Sequence, residues 1–523
     1  MLKRLEGMVK AFLGSYRILK LAPADHSRQP QLKAERDFSV ESLARRLLCA
    51  TSLAILVVMI ALHFGLVDLG QWYFDEFIVI GSYRDNGWTT FIDRLIGWSP
   101  RPISEVLIWA YACLVNWIHK PLIGVFLGLL WLPLIAAPLI SFLQIRKTFS
   151  DDSRKPLAFL SLFSFTLIAF FLLGHSPGDL FYWPMGAAAY LTTLGAITLC
   201  FFQLAFRLTD YRLGRVITSL SLIFAAGSTE AGAFFALVFS VLSFTCMSID
   251  AFRGSTFQRR FLWHLIPAIV AIGVFGLLMQ NRVRNQEALL PTVEYHSVYL
   301  SLKAAIGQTL QECLVAGQRL STRSVLLGLA LRVCIFLGLR YCWLASGVKI
   351  PRRQVLIVFA LSTIATTYFS VAASYYGFGI PTNDRHHELR QCLIILLIAS
   401  VVLLSCHYYA PIYEIRKCEW LGAIFILVSL VFVVPGRFSA LMHDYRNYSV
   451  CIENRITSWN SGLSEGNTMI WLASPQGQVA SKNTIAAGMY NLKSNSPPYV
   501  VPMMQFFRKE HLEIRPGGAR SIR

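Results

Sequence analysis

Long apolar runs separated by short polar loops dominate the pattern along this chain. The first run extends from Leu47 to Leu66, and the last ends near Val434. A helix of about 20 apolar residues crosses a bilayer, so each run of this kind predicts a transmembrane helix. The pattern predicts eleven of them, near residues 47–66, 121–143, 157–174, 186–206, 216–228, 231–249, 261–279, 324–340, 354–374, 391–409 and 419–436.

The apolar segment from Ile103 to Trp117 is not counted among them. It has only about 15 residues, which is short for a span, and it contains Glu105 and Asn116. If it crossed the membrane, the basic loop from Arg146 to Lys155 and every later loop would change sides. We therefore predict that this segment is interfacial or re-entrant.

Basic residues recur in every second loop, and short loops rich in Lys and Arg mark the cytoplasmic side. This rule places the N-terminus inside and the C-terminus outside. The first 46 residues are basic and amphipathic, and they are expected to lie along the anionic inner leaflet. The segments expected outside are residues 67–102, 175–185, the hairpin tip at 227–230, 280–323, 375–390 and 437–523.

Composition agrees with a membrane protein, since 55% of the 523 residues are hydrophobic and only 15% are charged. The net charge of +19 is spread over short loops and forms no single stripe, which argues against nucleic-acid binding. The predicted fold class is an all-α polytopic membrane protein. It would comprise a cytoplasmic segment (1–46), a transmembrane domain (47–436) with interfacial helices in its first outer loop, and a small soluble α/β cap (437–523).

The first outer loop contains an acidic pair, Asp75 and Glu76, among aromatic residues, and Arg101 follows in the same loop. A carboxylate beside the bilayer could remove a proton from an acceptor hydroxyl, and an arginine could bind a lipid-linked phosphate. Repulsion within the acidic pair would raise one pKa, which suits a base near neutral pH. The alternative is an interfacial aromatic belt with solvated charges around it.

A second outer loop joins two apolar runs and combines ionisable and aromatic side chains. Aromatic faces beside hydrogen-bonding carboxylates suit sugar binding, whereas Pro177 and Gly178 equally suit a plain turn with interfacial anchors. The candidate sugar or acceptor ligands in this loop are His175, Asp179, Tyr182 and Trp183.

Glu230 interrupts an apolar stretch that would otherwise extend from Val216 to Met247. A carboxylate below the membrane surface costs roughly 2.5 to 3.5 kcal/mol unless it is paired or lines a wet cavity. Glu230 is therefore a candidate functional residue. The alternative is that it reaches the interface or pairs with an arginine from another outer loop.

The polar run from Asn383 to Arg390 precedes a late apolar run. Its cations Arg385, His386 and Arg390 would suit a departing phosphate. His386 and the adjacent His387 diverge by about 100° on a helix, so they make a poor metal pair. The alternative is a charged loop that caps a helix start.

These elements in this order resemble the GT-C superfamily of membrane glycosyltransferases. The resemblance rests on the acidic site after the first span, on Trp98-Ser-Pro-Arg101-Pro102, and on a soluble tail. Phe181-Tyr-Trp-Pro-Met-Gly186 and Gly227-Ser-Thr-Glu230 are similar to elements of bacterial O-antigen glucosyltransferase-like proteins. One departure is Asp75-Glu76, where many relatives carry two aspartates, so the metal requirement stays open, a divalent cation being one option.

The resemblance implies an inverting transfer of a sugar from a polyprenyl-phosphate donor to a glycan or lipid acceptor of the cell envelope. Asp75 would be the general base, and Glu76 would orient it or bind a divalent ion. The departing phosphate would be neutralised by Arg101 and Arg385, together with His386 or Arg390. The sugar pocket would be shaped by Asp179, Tyr182, Trp183 and Glu230. The implied location is a bacterial inner membrane, with the active site on the outer face. Two other classes stay open, an O-antigen polymerase or ligase and a lipid-linked sugar flippase or transporter.

Overall fold

The structure, a computed structural model, describes residues 29–98, 100–146, 154–174, 177–252, 262–280, 293–294, 296–314, 322–381, 384–408, 419–480, 488–492, 497 and 500–517. The chain divides into two units, Met1–Leu47 and Leu48–Arg523. All of the contacts discussed below lie in the second unit.

The described residues are mainly helical, as expected for backbone that must satisfy its own hydrogen bonds in lipid. Short 3₁₀ turns occur at Val67–Leu69 and Leu208–Asp210, and two π-helical turns, Gly178–Tyr182 and Ala187–Leu191, flank Pro184–Gly186. The longer helices are α1 (Gln29–Phe64), α2 (Phe74–Asn86), α3 (Trp88–Gly97), α4 (Pro102–Ile118), α5 (Ile123–Arg146), α6 (Arg154–Leu172), α7 (Thr192–Ala205), α8 (Arg212–Ser228), α9 (Glu230–Phe252), α10 (Leu262–Gln280), α11 (Val298–Leu314), α12 (Thr322–Ser346), α13 (Arg353–Phe378), α14 (Asp384–Tyr408) and α15 (Glu419–Leu463).

Eight helical segments among the described residues are long and apolar enough to cross a membrane, which confirms the prediction of a helical membrane protein. Three shorter apolar helices cover Pro102–Ile118, Leu157–Leu172 and Trp263–Met279, and the predicted span at 216–228 lies within the 17 residues of α8. The eight segments are Arg46–Leu69, Ile123–Gln144, Pro184–Ala205, Glu230–Ile249, Arg323–Ser346, Arg353–Phe378, Arg385–His407 and Trp420–Leu463.

The last long helix, α15, does not end near residue 436, where the apolar run stops. It continues through Pro435 to Leu463 as one helix of 45 residues. Its second half contacts the segment between α1 and α2, because Arg455 donates hydrogen bonds to the carbonyl oxygens of Asp68 and Gly70. The loss of hydrophobicity after Val434 therefore does not mark the end of the helix.

The C-terminal region contains a three-stranded sheet of order β1-β3-β2, formed by β1 (Thr468–Ala473), β2 (Gly488–Asn491) and β3 (His511–Pro516). β1 pairs with β3 in parallel, with Met469 opposite Leu512, and β2 pairs with β3 antiparallel. The short helix α16 (Val501–Phe507) packs its aromatic end against α2, where Phe506 contacts Phe77. The sheet region is thereby joined to the helix that carries the acidic pair.

Candidate functional site

Five of the candidate catalytic and binding side chains lie at the N-terminal ends of four helices. Asp75 and Glu76 are in the first turn of α2, and Arg101 is the N-cap residue of α4. Glu230 begins α9, and Arg385 is in the first turn of α14. Each is placed there because a polar break in the sequence separates two apolar runs. Contacts through two aromatic residues bring several of these helix starts together.

Arg101 and Glu230 form a well-aligned ion pair between α4 and α9. Arg101 Nε lies 3.1 Å from both carboxylate oxygens of Glu230, and Nη2 lies 2.8 Å from Oε2. Both side chains are about four-fifths buried, at 20% and 18% exposure. The sequence alternative in which Glu230 pairs with an arginine of another outer loop therefore describes its position.

Arg385 packs its guanidinium between two aromatic rings. Its Cζ lies 4.8 Å from the ring centroid of Trp183 and 6.0 Å from that of Tyr190. Among the described residues it forms no ion pair with a carboxylate, and its Nε has no hydrogen-bond partner there. The indole Nε1 of Trp183 is likewise buried without a partner in the described part of the chain. A cation and an N–H donor are thus available beside each other.

Tyr190 contacts Arg101 and His386 as well as Arg385, and no prediction from the sequence included it. Its hydroxyl lies 2.9 Å from Nε2 of His386, and its ring receives Arg101 at 5.6 Å. It is 3% exposed and lies inside an apolar run. The one signal available was a tyrosine hydroxyl within that run, which needs a partner when buried.

Asp75 is the candidate base, and its surroundings shift its pKa. Burial raises the pKa of Asp75 above its usual value, and the positive charges of Arg385 and Arg94 oppose that rise. Arg94 is itself paired with the buried Glu105, at 2.8 and 2.9 Å. The Asp75 carboxylate makes no hydrogen bond to another described residue. It is therefore a half-buried carboxylate close to Arg385 and able to accept a proton.

Glu76 has a different position from its neighbour. It is fully buried, with Oε2 accepting the backbone N–H of Tyr73 at 2.7 Å and Oε1 accepting that of Met185 at 3.2 Å. Burial raises the pKa of Glu76 to about 8, against the opposing effect of these two hydrogen bonds. Glu76 thereby caps α2 and joins it to the loop that contains Trp183.

The other predicted sugar ligands do not all lie together in the structure. The ring of Trp183 contacts Tyr73, at 5.6 Å between centroids. Tyr182 is fully buried, and its hydroxyl donates to the carbonyl oxygen of His63 at 3.0 Å and lies 2.7 Å from His63 Nδ1. Asp179 lies half-buried in the turn Gly178–Tyr182. His175 lies outside the described residues.

Arg390 belongs to a second, buried ion-pair cluster. Its Nε and Nη2 donate to the carboxylate of Glu312 on α11 at 2.8 and 2.7 Å, and Nδ1 of His387 lies 3.2 Å from the same carboxylate. Burial raises the pKa of Glu312, but the hydrogen bonds from His387 and Arg390 outweigh burial and lower it to about 2. Arg390 therefore holds α11 against α14, and its charge is already neutralised.

Metal binding has no support in the described part of the chain, where no three His, Cys, Asp or Glu side chains are grouped so that they could hold an ion. Glu76, the predicted ion ligand, uses both oxygens for backbone N–H groups. The metal requirement of the reaction stays open.

Comparison with known proteins adds no relative to this description. No protein-family model, no curated protein and no solved structure matches the chain.

Proposed function

We propose that the protein is a GT-C-like glycosyltransferase that moves a sugar from a polyprenyl-phosphate donor to a glycan or lipid acceptor, with inversion. The observation that carries this proposal is the combination of Asp75 and Arg385. One is a carboxylate that can take a proton, and the other is a cation without a carboxylate partner among the described residues. A transfer from a sugar phosphate needs both groups.

In the proposed reaction, Asp75 accepts the proton of the acceptor hydroxyl. The acceptor oxygen then forms a bond to the anomeric carbon, while the bond from that carbon to the phosphate oxygen breaks. The electron pair leaves with the polyprenyl phosphate, and Arg385 stabilises the growing negative charge through its charge and its Nε–H, which has no partner among the described residues. Trp183 Nε1 is an additional donor next to that charge.

Arg101 has a less direct role in this scheme, because Glu230 neutralises most of its charge. The pair, together with Tyr190 and His386, forms a polar wall that supplies donors and acceptors for sugar hydroxyls. Glu76 and Arg390 are positioning residues, since the first fixes the loop of Trp183 and the second fixes α14 behind Arg385.

The number of membrane spans and the sides of the membrane on which the two ends lie are part of the same proposal. Eleven spans, with residues 1–46 inside and the tail outside, put the Asp75 site on the outer face of a bacterial inner membrane. This assignment rests on the basic residues in alternate loops. A polyprenyl-phosphate donor enters from the bilayer to such a site, whereas a nucleotide-linked donor would be confined to the cytoplasm.

The test is transfer by the purified full-length protein with a panel of polyprenyl-phosphate sugars, scored by released polyprenyl phosphate. Asp75→Asn keeps the size of the side chain and removes its basicity. It should reduce transfer at least roughly 1,000-fold. The matched control is Asp93→Asn, because Asp93 is exposed on the neighbouring helix α3. Near-normal transfer by the Asp75 variant would remove this residue from the mechanism.

The same assay separates the other two classes. A polymerase or ligase would join whole lipid-linked repeat units in place of adding one sugar. A flippase would move a lipid-linked sugar across proteoliposomes without releasing polyprenyl phosphate. Either outcome, with no single-sugar transfer, would overturn the proposed function.

A further inference from the structure

A separate cleft of about 300 Å³ lies where the C-terminal region meets the far ends of α2 and α4. This volume is at the lower end of the range of about 300 to 1,000 Å³ for small-molecule sites, so it suits a ligand of one ring or a few. Asp75 and Arg84 are nine residues apart on α2, a rise of roughly 14 Å. The cleft is therefore distinct from the candidate catalytic group.

The floor of this cleft is aromatic and its rim is basic. Trp459, Phe506 and Phe507 are each less than one-tenth exposed, and their ring centroids lie 4.9 to 5.6 Å apart. Phe507 packs edge to face against both of the other rings. Arg84 and Arg508 stand at the rim, and no Asp or Glu is among the described residues that line the cleft. This combination favours a ligand with an apolar face and a negative charge.

Arg84 is held in a fixed orientation by the surrounding structure. Its Cζ lies 5.1 Å from the ring centroid of Phe506, and its Nη1 donates to the Phe506 carbonyl oxygen at 2.7 Å. Its Nε and Nη2 donate to Asp85 at 3.0 and 3.2 Å. A guanidinium has five N–H donors, so two donors remain available for a ligand.

Arg508 supplies a second and more accessible cation. Its side chain is 76% exposed and reaches Asp85 through one contact of 3.3 Å. Asp85 thus neutralises about one of the two rim charges, and a net positive charge is left. Asn116 and His119, from the end of α4, add hydrogen-bonding groups to the lining of the cleft.

We propose that this cleft binds an anionic sugar, with the charged group on Arg84 and Arg508 and the ring against the aromatic floor. A carboxylate or a phosphate on the sugar would match the available guanidinium donors. The hydroxyls would meet Asn116 and His119. The proposal concerns binding alone and does not depend on the proposed transferase activity.

The experiment is titration calorimetry on the full-length protein in detergent, with glucuronate, glucose 6-phosphate, glucose and inorganic phosphate as probes. Glucuronate or glucose 6-phosphate should bind measurably better than both glucose and inorganic phosphate. Equal binding of inorganic phosphate would reduce the cleft to a simple anion site and overturn the sugar assignment. No binding of either anionic sugar would overturn the whole proposal.

Variants then locate the binding. Arg508→Gln should weaken it roughly three- to tenfold, the effect expected from one partly exposed charge-assisted hydrogen bond. Asn116→Asp, which adds a negative charge to the wall, should weaken it at least as much. Arg515→Gln is the matched control, because Arg515 is exposed on β3 and does not line the cleft.

A further variant, Arg385→Gln, separates this site from the candidate catalytic group. It should leave unchanged the binding that Arg508→Gln weakens, because Arg385 is not among the residues that line the cleft. Loss of binding in Arg385→Gln with none in Arg508→Gln would place the anionic sugar at the other site and refute the proposal. This result would not bear on transfer activity, which is measured separately with Asp75→Asn.

Discussion

Arg101 and Glu230 are 129 residues apart in the sequence, yet the guanidinium of one contacts both carboxylate oxygens of the other at 2.8 to 3.1 Å. The pair ties the start of α4 to the start of α9. It also sets the spacing of the polar wall beside Tyr190, since Arg101 stacks on that ring.

Breaking this pair should destabilise the fold and not only the site. Glu230→Gln leaves Arg101 largely buried without its counter-charge, which should lower the free energy of unfolding by roughly 1 to 3 kcal/mol. The measurement is thermal unfolding in detergent. The charge-reversed double variant Arg101→Glu/Glu230→Arg should regain part of the stability, and a double variant no more stable than the worse single variant would contradict the pairing.

Arg385 should be required for turnover because its guanidinium contacts both aromatic rings of the site, Trp183 and Tyr190. Arg385→Gln should lower kcat/KM for transfer by roughly 100- to 1,000-fold, the usual cost of a lost transition-state donor. Arg385→Lys keeps the charge but loses the planar stack, so its loss should be smaller. Equal activity of Arg385→Gln and the unmodified protein would exclude the phosphate role.

Transfer should depend on pH through Asp75. Burial raises its pKa, so the basic form is lost at a higher pH than for a solvated aspartate. Activity should therefore rise with pH along an acidic limb that lies above the usual aspartate range. The measurement is kcat/KM against pH, and Arg94→Gln, which removes a nearby positive charge, should move this limb to still higher pH. A limb that stays in place or moves down would argue against Asp75 as the titrating base.

Stability should depend on pH through Glu76 in the opposite sense to an ordinary surface carboxylate. Its pKa is raised from 4.5 to about 8 by burial, so the folded state binds more protons than the unfolded state between these values. The stability from this group is full below pH 4.5 and is lost as the pH rises to about 8. Unfolding in detergent at several pH values should show this slope, and Glu76→Gln should flatten it. A slope of the same size in the variant would assign the effect to another group.

The ion pair between Glu312 and Arg390 should make stability depend on pH in the opposite direction. Burial raises the pKa of Glu312, but the hydrogen bonds from His387 and Arg390 outweigh it and lower this pKa from 4.5 to about 2. Its contribution is complete above pH 4.5 and is lost as the pH falls toward 2. Glu312→Gln leaves Arg390 buried with a weaker acceptor, so it should cost roughly 3 kcal/mol and speed hydrogen exchange in α11. Glu510→Gln, a change in the C-terminal region, is the control, and unchanged exchange in the Glu312 variant would contradict this role.

The class of the protein and the positions of its polar breaks follow from the amino-acid sequence without any tertiary information. Apolar runs of membrane length must form helices, because lipid offers no partner to the backbone. The residues between those runs, among them Asp75, Arg101, Glu230 and Arg385, must then lie near helix ends. This inference needs only local spacing, which is why the helices and the candidate residues could be predicted without tertiary contacts.

Which helix ends meet depends on long-range packing, and it is seen in the folded structure alone. Asp75 and Glu76 are neighbours with the same chemistry, but one stays available while the other accepts two backbone N–H groups, one of them from Met185 across the fold. Arg385 and Arg390 likewise share a helix, yet only Arg390 meets Glu312. Whether a buried charge is neutralised depends on its partner. A partner more than 70 residues away in the sequence cannot be identified from the periodicity of the helix that carries the charge.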